Sequence, residues 1–195
     1  MARSFLILHG YLGSGPDHWQ TWLAARLADA GEAVAYPELP APFAPQLPAW
    51  RAALARALRD LPDEPVVIAH SLACCLWLHH CAEPVVEDAR AARVLLVAPP
   101  SPAGAPAPIL SFFPLPLDAA AVAAAAGETR LVCAPEDPYC PEGAAGVYGE
   151  PLGIATELLP GAGHVNPAAG YGAWPEAEAW CYGASAIASS RSAPG

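Results

Sequence analysis

Six short apolar runs alternate with longer stretches of helical spacing, and this alternation constrains the fold of the 195-residue chain more than any other feature. The strand-like runs are FLILHG (5–10), EAVAYPEL (32–39), PVVIAHS (65–71), RVLLVAP (93–99), TRLVCAP (129–135) and ATELLP (155–160). Between them, DHWQTWLAARLADAG (17–31) places Trp19, Trp22, Leu23 and Leu27 at helical spacing, with Gly31 as its stop. LPAWRAALARALRDL (47–61) aligns Trp50, Leu54, Leu58 and Leu61 on one face. Further helices are expected over LACCLWLHHCA (72–82), DAAAVAAAAG (118–127), PEGAAGVYG (141–149) and PEAEAWC (175–181). Strands that alternate with helices form βαβ units, and hence a mainly parallel sheet with helices on both faces. Continuous runs such as VVIA and VLLVA suit strands buried on both faces, whereas Pro37 marks the second strand as an edge. One domain over 1–182 is expected, followed by a flexible Ala/Ser-rich tail over 183–195.

Charge removes several functions. The net charge is −10, and the nine basic residues are all Arg, so lysine chemistry and a P-loop are excluded. No cluster of Arg exists to hold nucleic acid or an anionic membrane. Residues 94–117 are uncharged over a membrane-spanning length, but seven of them are Pro, which a transmembrane helix does not accommodate. This segment reads as a buried strand followed by an irregular apolar surface stretch. The six cysteines include no C-x-x-C, so no zinc site is expected. The beginning, MARSFLILHGYLGSG, has one Arg, a short apolar run and no small-residue cleavage site. It reads as the start of the fold, so reduced thiols and a cytoplasmic location are expected.

In a parallel α/β sheet the ligand crevice lies beyond the carboxyl ends of the strands, so function belongs to the residues just after each strand. The first strand ends in His9-Gly10-Tyr11, the third in His70-Ser71-Leu72, the fifth leads to Glu136-Asp137-Pro138 and the sixth to Gly161-Ala162-Gly163-His164. A hydroxyl nucleophile, a carboxylate and an imidazole thus arrive at one sheet edge in the chain order Ser, Asp, His, which is the α/β-hydrolase order. Ala69-His70-Ser71-Leu72-Ala73 stands where G-x-S-x-G is usual, with Ala at both glycine positions. Ser71 could instead be a helix N-cap, and His164 and Asp137 simple loop residues. Glu136 competes with Asp137 for the acidic role. The amides of Tyr11 and Leu72 are the candidate oxyanion donors. His9 and His70 are expected to hold backbone in place. Cys74 and Cys75 lie near a helix start, where a thiol can acidify, but buried, inert thiols are the favoured reading.

HGYLGSGPDHWQTWL, VVIAHSLACCLWL, EDPYCP and GAGHVNPAAGYGAWPE together resemble the small α/β-hydrolases of the retinoblastoma-binding protein nine / YdeN family. The resemblance runs from residue 5 to about residue 180 and is most specific at His18-Trp19, D-P-Y-C and the GHxN…WP ending. It implies a minimal α/β-hydrolase with a six-stranded parallel sheet in the order 2-1-3-4-5-6, and a Ser71-Asp137-His164 triad. Hydrolysis of a small ester, thioester or amide through an acyl-enzyme on Ser71, with no cofactor or metal, is the expected function. Trp19, Phe112 and Phe113 are the expected pocket walls. A catalytically decayed interaction module on the same fold, or another reaction on the same triad, is the alternative.

Overall fold

The computed structural model describes residues 3–62, 64–86 and 90–187. Its centre is a six-stranded sheet, every neighbouring pair parallel, in the order β2-β1-β3-β4-β5-β6. The strands are β1 (Ser4–Leu8), β2 (Ala33–Ala35), β3 (Val66–His70), β4 (Ala91–Val97), β5 (Ala126–Cys133) and β6 (Ala155–Leu158). The helices are α1 (Trp19–Asp29), α2 (Leu47–Asp60), α3 (Leu72–Ala82), α4 (Ala119–Ala125), α5 (Glu150–Leu152) and α6 (Pro175–Cys181).

Strand side chains alternate between faces, and this alternation divides the core in two. Leu6, Leu8, Val67, Ala69, Leu96 and Leu131 point to the layer that contains Trp50 of α2 and most of α3. Phe5, Ile7, Val66, Ile68, Leu95, Val97 and Val132 point to the opposite layer, with Trp19 of α1 and Trp180 of α6. Because α3 is covered on all sides, Leu72 to Leu78 are buried without interruption and the helix has no polar face to display.

Several boundaries differ from the sequence expectation. The strand expected over 32–39 shrinks to three residues, because Pro37 cannot donate to a ladder and β2 sits at the sheet edge. β5 starts at Ala126, directly after α4, so alanines that favour a helix by propensity end in extended chain once they pair with β4. The helix expected over 141–149 is a π-helical turn (Ala145–Gly149) running into the single turn of α5. The stretch after β4 contains a 3-10 helix (Ala107–Phe112) rather than irregular chain alone. Packing also continues past residue 182. Ile187 is fully buried, and its N–H donates to Glu157, while Arg93 bonds the carbonyls of Trp180 and Ala184. Residues 188–195 of the expected tail lie outside the described residues. No helix of the described residues is long and apolar enough to cross a membrane.

Candidate active site

β3 ends at His70 and α3 begins at Leu72, so Ser71 alone makes the turn between strand and helix. It does so at φ 56°, ψ −124°, a conformation that costs on the order of 1–3 kcal/mol in a non-glycine residue. Surrounding contacts hold it there: the Ser71 N–H donates to the Val97 carbonyl at 2.8 Å, and the Ser71 carbonyl accepts from Cys74 N–H at 2.9 Å. The Ser71 side chain caps no helix amide, which removes the N-cap reading. Ala69 and Ala73, where glycine is usual, are both fully buried in the core layer beneath the turn.

Three chain segments that are far apart in sequence meet at this hydroxyl. Ser71 Oγ lies 2.9 Å from His164 Nε2, and His164 Nδ1 lies 2.8 Å and 3.0 Å from the two oxygens of Asp137. An ionised carboxylate only accepts, so the His164 ring carries its proton on Nδ1 and leaves Nε2 to accept from the Ser71 hydroxyl. Asp137 is 2 % exposed and also accepts the Tyr139 N–H, which fixes its orientation. Glu136, the competing acid, instead accepts the Gly163 N–H and steadies the loop that carries His164.

The other histidines hold backbone, as their strand-end positions suggest. His70 Nε2–H donates to the His164 carbonyl at 2.9 Å. Burial pushes the His70 imidazole well below its ordinary range, with the neighbouring rings of His164 and His18 adding to the effect. Leu39 N–H donates to His9 Nε2, which places the His9 proton on Nδ1, and Nδ1–H donates to the Gly10 carbonyl at 2.9 Å. That carbonyl shares a peptide unit with the Tyr11 N–H, so His9 sets the plane of one expected oxyanion donor. The other, Leu72, is the first residue of α3, where a backbone N–H has no acceptor inside the helix.

A cleft of about 240 Å³ opens over Ser71 and His164. Tyr11, His18, Tyr139 and Asn166 line it, together with the apolar Pro100, Pro106 and Ile109. The expected walls Trp19, Phe112 and Phe113 are absent from its lining, and this corrects the sequence reading. Trp19 is fully buried against Trp174, and its Nε1–H donates to the Val165 carbonyl, so it anchors the His164 loop from behind. Its neighbour His18, at the N-cap of α1, faces the cleft instead. In the 3-10 helix, residues three apart share a face. Ile109 and Phe112 therefore both turn inward, and Phe112 packs edge-on against Trp50 at 5.3 Å. Phe113 is half-buried against the same core layer. Tyr139, whose ring lies 4.3 Å from that of His164, also escaped the sequence reading, as did Asn166. Both sit inside the two most specific sequence blocks, D-P-Y-C and GHxN, which was the available signal.

All six cysteines are unpaired and buried. Burial pushes the Cys81 and Cys181 thiols up to about 12 and those of Cys133 and Cys140 up to about 11. The thiols of Cys74 and Cys75 are raised by the same cause, and the start of α3 does not acidify them.

Comparison with known proteins agrees with this architecture. YdeN of Bacillus subtilis (strain 168) is 34% identical over 74 residues, a match that spans 38% of this chain and 39% of the relative. The crystal structure of the B. subtilis ydeN gene product superposes with a TM-score of 0.78 at 22% identity, covering 93% of this chain and 97% of that one. A YdeN-like protein from Pectobacterium atrosepticum gives 0.70 at 20% identity, covering 92% and 88%. One structure from a study of the metagenome-derived lipolytic enzymes LipS and LipT gives 0.57 at 20% identity, covering 82% and 83%. At these identities the structural likenesses speak to the fold. The serine hydrolase family model matches residues 5–182, nearly the whole of the chain. With Ser71 on a strand-to-helix turn of a 2-1-3-4-5-6 parallel sheet, the chain belongs to the serine hydrolase family.

Proposed function

We propose that this protein hydrolyses small carboxylic esters through an acyl-enzyme on Ser71. The observation that carries the reading is the continuous hydrogen-bonded chain from Ser71 Oγ through His164 to the buried Asp137. His164 Nε2 takes the hydroxyl proton as Ser71 Oγ attacks the ester carbonyl, and Asp137 steadies the imidazolium that forms. The tetrahedral oxyanion accepts hydrogen bonds from the amides of Tyr11 and Leu72. Collapse expels the alcohol, which leaves with the proton from His164. Water then enters, gives a proton to the same nitrogen and attacks the acyl-enzyme, releasing the acid and restoring Ser71.

The cleft volume of about 240 Å³ favours a short acyl group. Thioesters and activated amides follow the same steps. Six unpaired cysteines fit the reducing cytoplasm. A fluorophosphonate probe and a panel of ester, thioester and amide substrates test the reading. Wild-type protein should be labelled and should turn over short esters. Ser71→Ala should remain folded, lose labelling and lose at least about 10⁴-fold in turnover. Unchanged turnover in a folded Ser71→Ala protein would remove the nucleophile assignment.

A further inference from the structure

Two polar side chains of the cleft, His18 and Asn166, share a chemical bias, while the hydroxyls of Tyr11 and Tyr139 on the same lining can both donate and accept. Among its lining residues none is Arg, Asp or Glu, so no formal charge faces a ligand there unless an imidazole is protonated. Beyond Ser71 and His164, two polar side chains of the lining have had their acceptor atoms taken by the chain itself. Gln20 N–H donates to His18 Nδ1 at 3.2 Å, which leaves the single proton of the neutral ring on Nε2. Ala169 N–H donates to Asn166 Oδ1 at 3.1 Å, which leaves Asn166 its NH₂ group. Among the described residues neither remaining donor has a protein acceptor. His18 is also rigid. It is 5 % exposed and packed against His70 at 5.0 Å and Trp19 at 5.6 Å. Burial, with the His164 ring nearby, lowers its pKa to about 4, so at neutral pH it is a donor of fixed tautomer and no charge. Pro100, Pro106 and Ile109, which also line the cleft, add no side-chain donor.

We propose that the cleft selects short, uncharged esters carrying a second acceptor oxygen within a few bonds of the scissile carbonyl, and that His18 Nε2–H binds this oxygen. The substrate class rests on the acyl-enzyme reading of Ser71; the hydrogen bond itself does not. His18 is in this sense a specificity-determining residue of the cleft rather than a proton carrier. Asn166 supplies a second donor on the same lining.

The test uses matched esters in which one methylene becomes an ether oxygen. These are p-nitrophenyl methoxyacetate against butyrate, and 2-methoxyethyl acetate against butyl acetate. The ratio of kcat/KM within a pair is compared between wild type and His18→Phe, which cancels intrinsic reactivity. Loss of one neutral hydrogen bond should lower the ether preference about fivefold in at least one pair. His18→Asn keeps an acceptor for the Gln20 N–H but falls short of the ligand, and should show the same loss without loss of the helix cap. An unchanged ratio in both pairs, or an equal fall for both members of each pair, overturns the proposal.

A second measurement is independent of turnover. In the Ser71→Ala protein, methyl methoxyacetate should bind about fivefold more tightly than methyl butyrate and should move the His18 Nε2 resonance in ¹⁵N NMR. Equal binding with no movement of that resonance overturns the subsite. A binding preference in Ser71→Ala, together with no ester turnover by the wild-type protein, sustains the subsite and removes the hydrolase reading.

Discussion

Gly10 is defined by the side chain it lacks. A Cβ there would stand 2.7 Å from Ser71 Cβ, 3.1 Å from Ser71 Oγ and 3.1 Å from the His70 carbonyl oxygen. None of these groups is free to retreat: His70 belongs to the central ladder, and Ser71 is held between Val97 and α3. A methyl at residue 10 therefore moves the serine, the adjoining Tyr11 amide, or both. Displacements of about 1 Å at reacting groups cost on the order of 100-fold in rate. Gly10→Ala should lower kcat/KM for a short ester by at least that factor while the protein still folds, with circular dichroism and a thermal melt as the check. Wild-type turnover in this variant would show that the Gly10–Ser71 approach is irrelevant to catalysis. The serine, the imidazole and the carboxylate were readable in the sequence because each follows a strand, and strand ends in a parallel sheet converge. The role of His18 was not readable, because adjacent positions on a helix face different ways and only the cap geometry decides that His18, not Trp19, faces the cleft.

At the scale of elements, the segment after β4 divides its work by position. Its first half is tied to the loop that carries Asp137. Ser101 N–H donates to the Tyr139 carbonyl, Ser101 Oγ donates to Glu142, and Gly104 lies so close that a Cβ would sit 2.3 Å from the Tyr139 backbone. Its second half, the 3-10 helix, inserts Phe112 beside Trp50, and the Phe112 carbonyl accepts from His79 Nε2–H at 2.8 Å. Phe112 is thus a core residue, whereas Pro106 and Ile109 of the same segment line the cleft. Truncating a buried Phe typically costs about 3–5 kcal/mol. Phe112→Ala should lower stability by that amount in urea titrations while leaving the acyl-chain-length profile of ester hydrolysis in place. A changed profile with an unmoved unfolding midpoint would return Phe112 to the pocket. The sequence showed a proline-rich, uncharged stretch but no periodicity, and without a period there is no face to assign. The strands and the longer helices did have a period, and their order and pairing follow from it. The expected eight-residue second strand and the three-residue β2 differ because an edge strand gains only one partner and loses it at the first proline.

For the whole molecule, the three histidines at or behind the site link its architecture to acid stability. His9, His18 and His70 are buried, and burial lowers the pKa of each, that of His18 to about 4. An unfolded histidine titrates near pH 6.5, so below that pH the unfolded chain takes up protons that the folded chain refuses. Each such group contributes stability that is present above pH 6.5 and is lost as the pH falls toward its folded pKa, at up to about 1.4 kcal/mol per pH unit. His18 alone withdraws on the order of 2–3 kcal/mol by pH 4.5. His9 and His70 act in the same direction. Against a total of about 5–15 kcal/mol for a domain, this loss is large. It also occurs above the range in which most carboxylates titrate, so it precedes the relief of repulsion that protonating the 19 acidic residues would bring. The unfolding midpoint in urea should therefore fall steeply between pH 6.5 and 4.5, and His18→Asn should flatten that slope by the share of one proton. A midpoint independent of pH across this window would mean that the folded protein accepts these protons, and that the histidines behind Ser71 are not held neutral by burial.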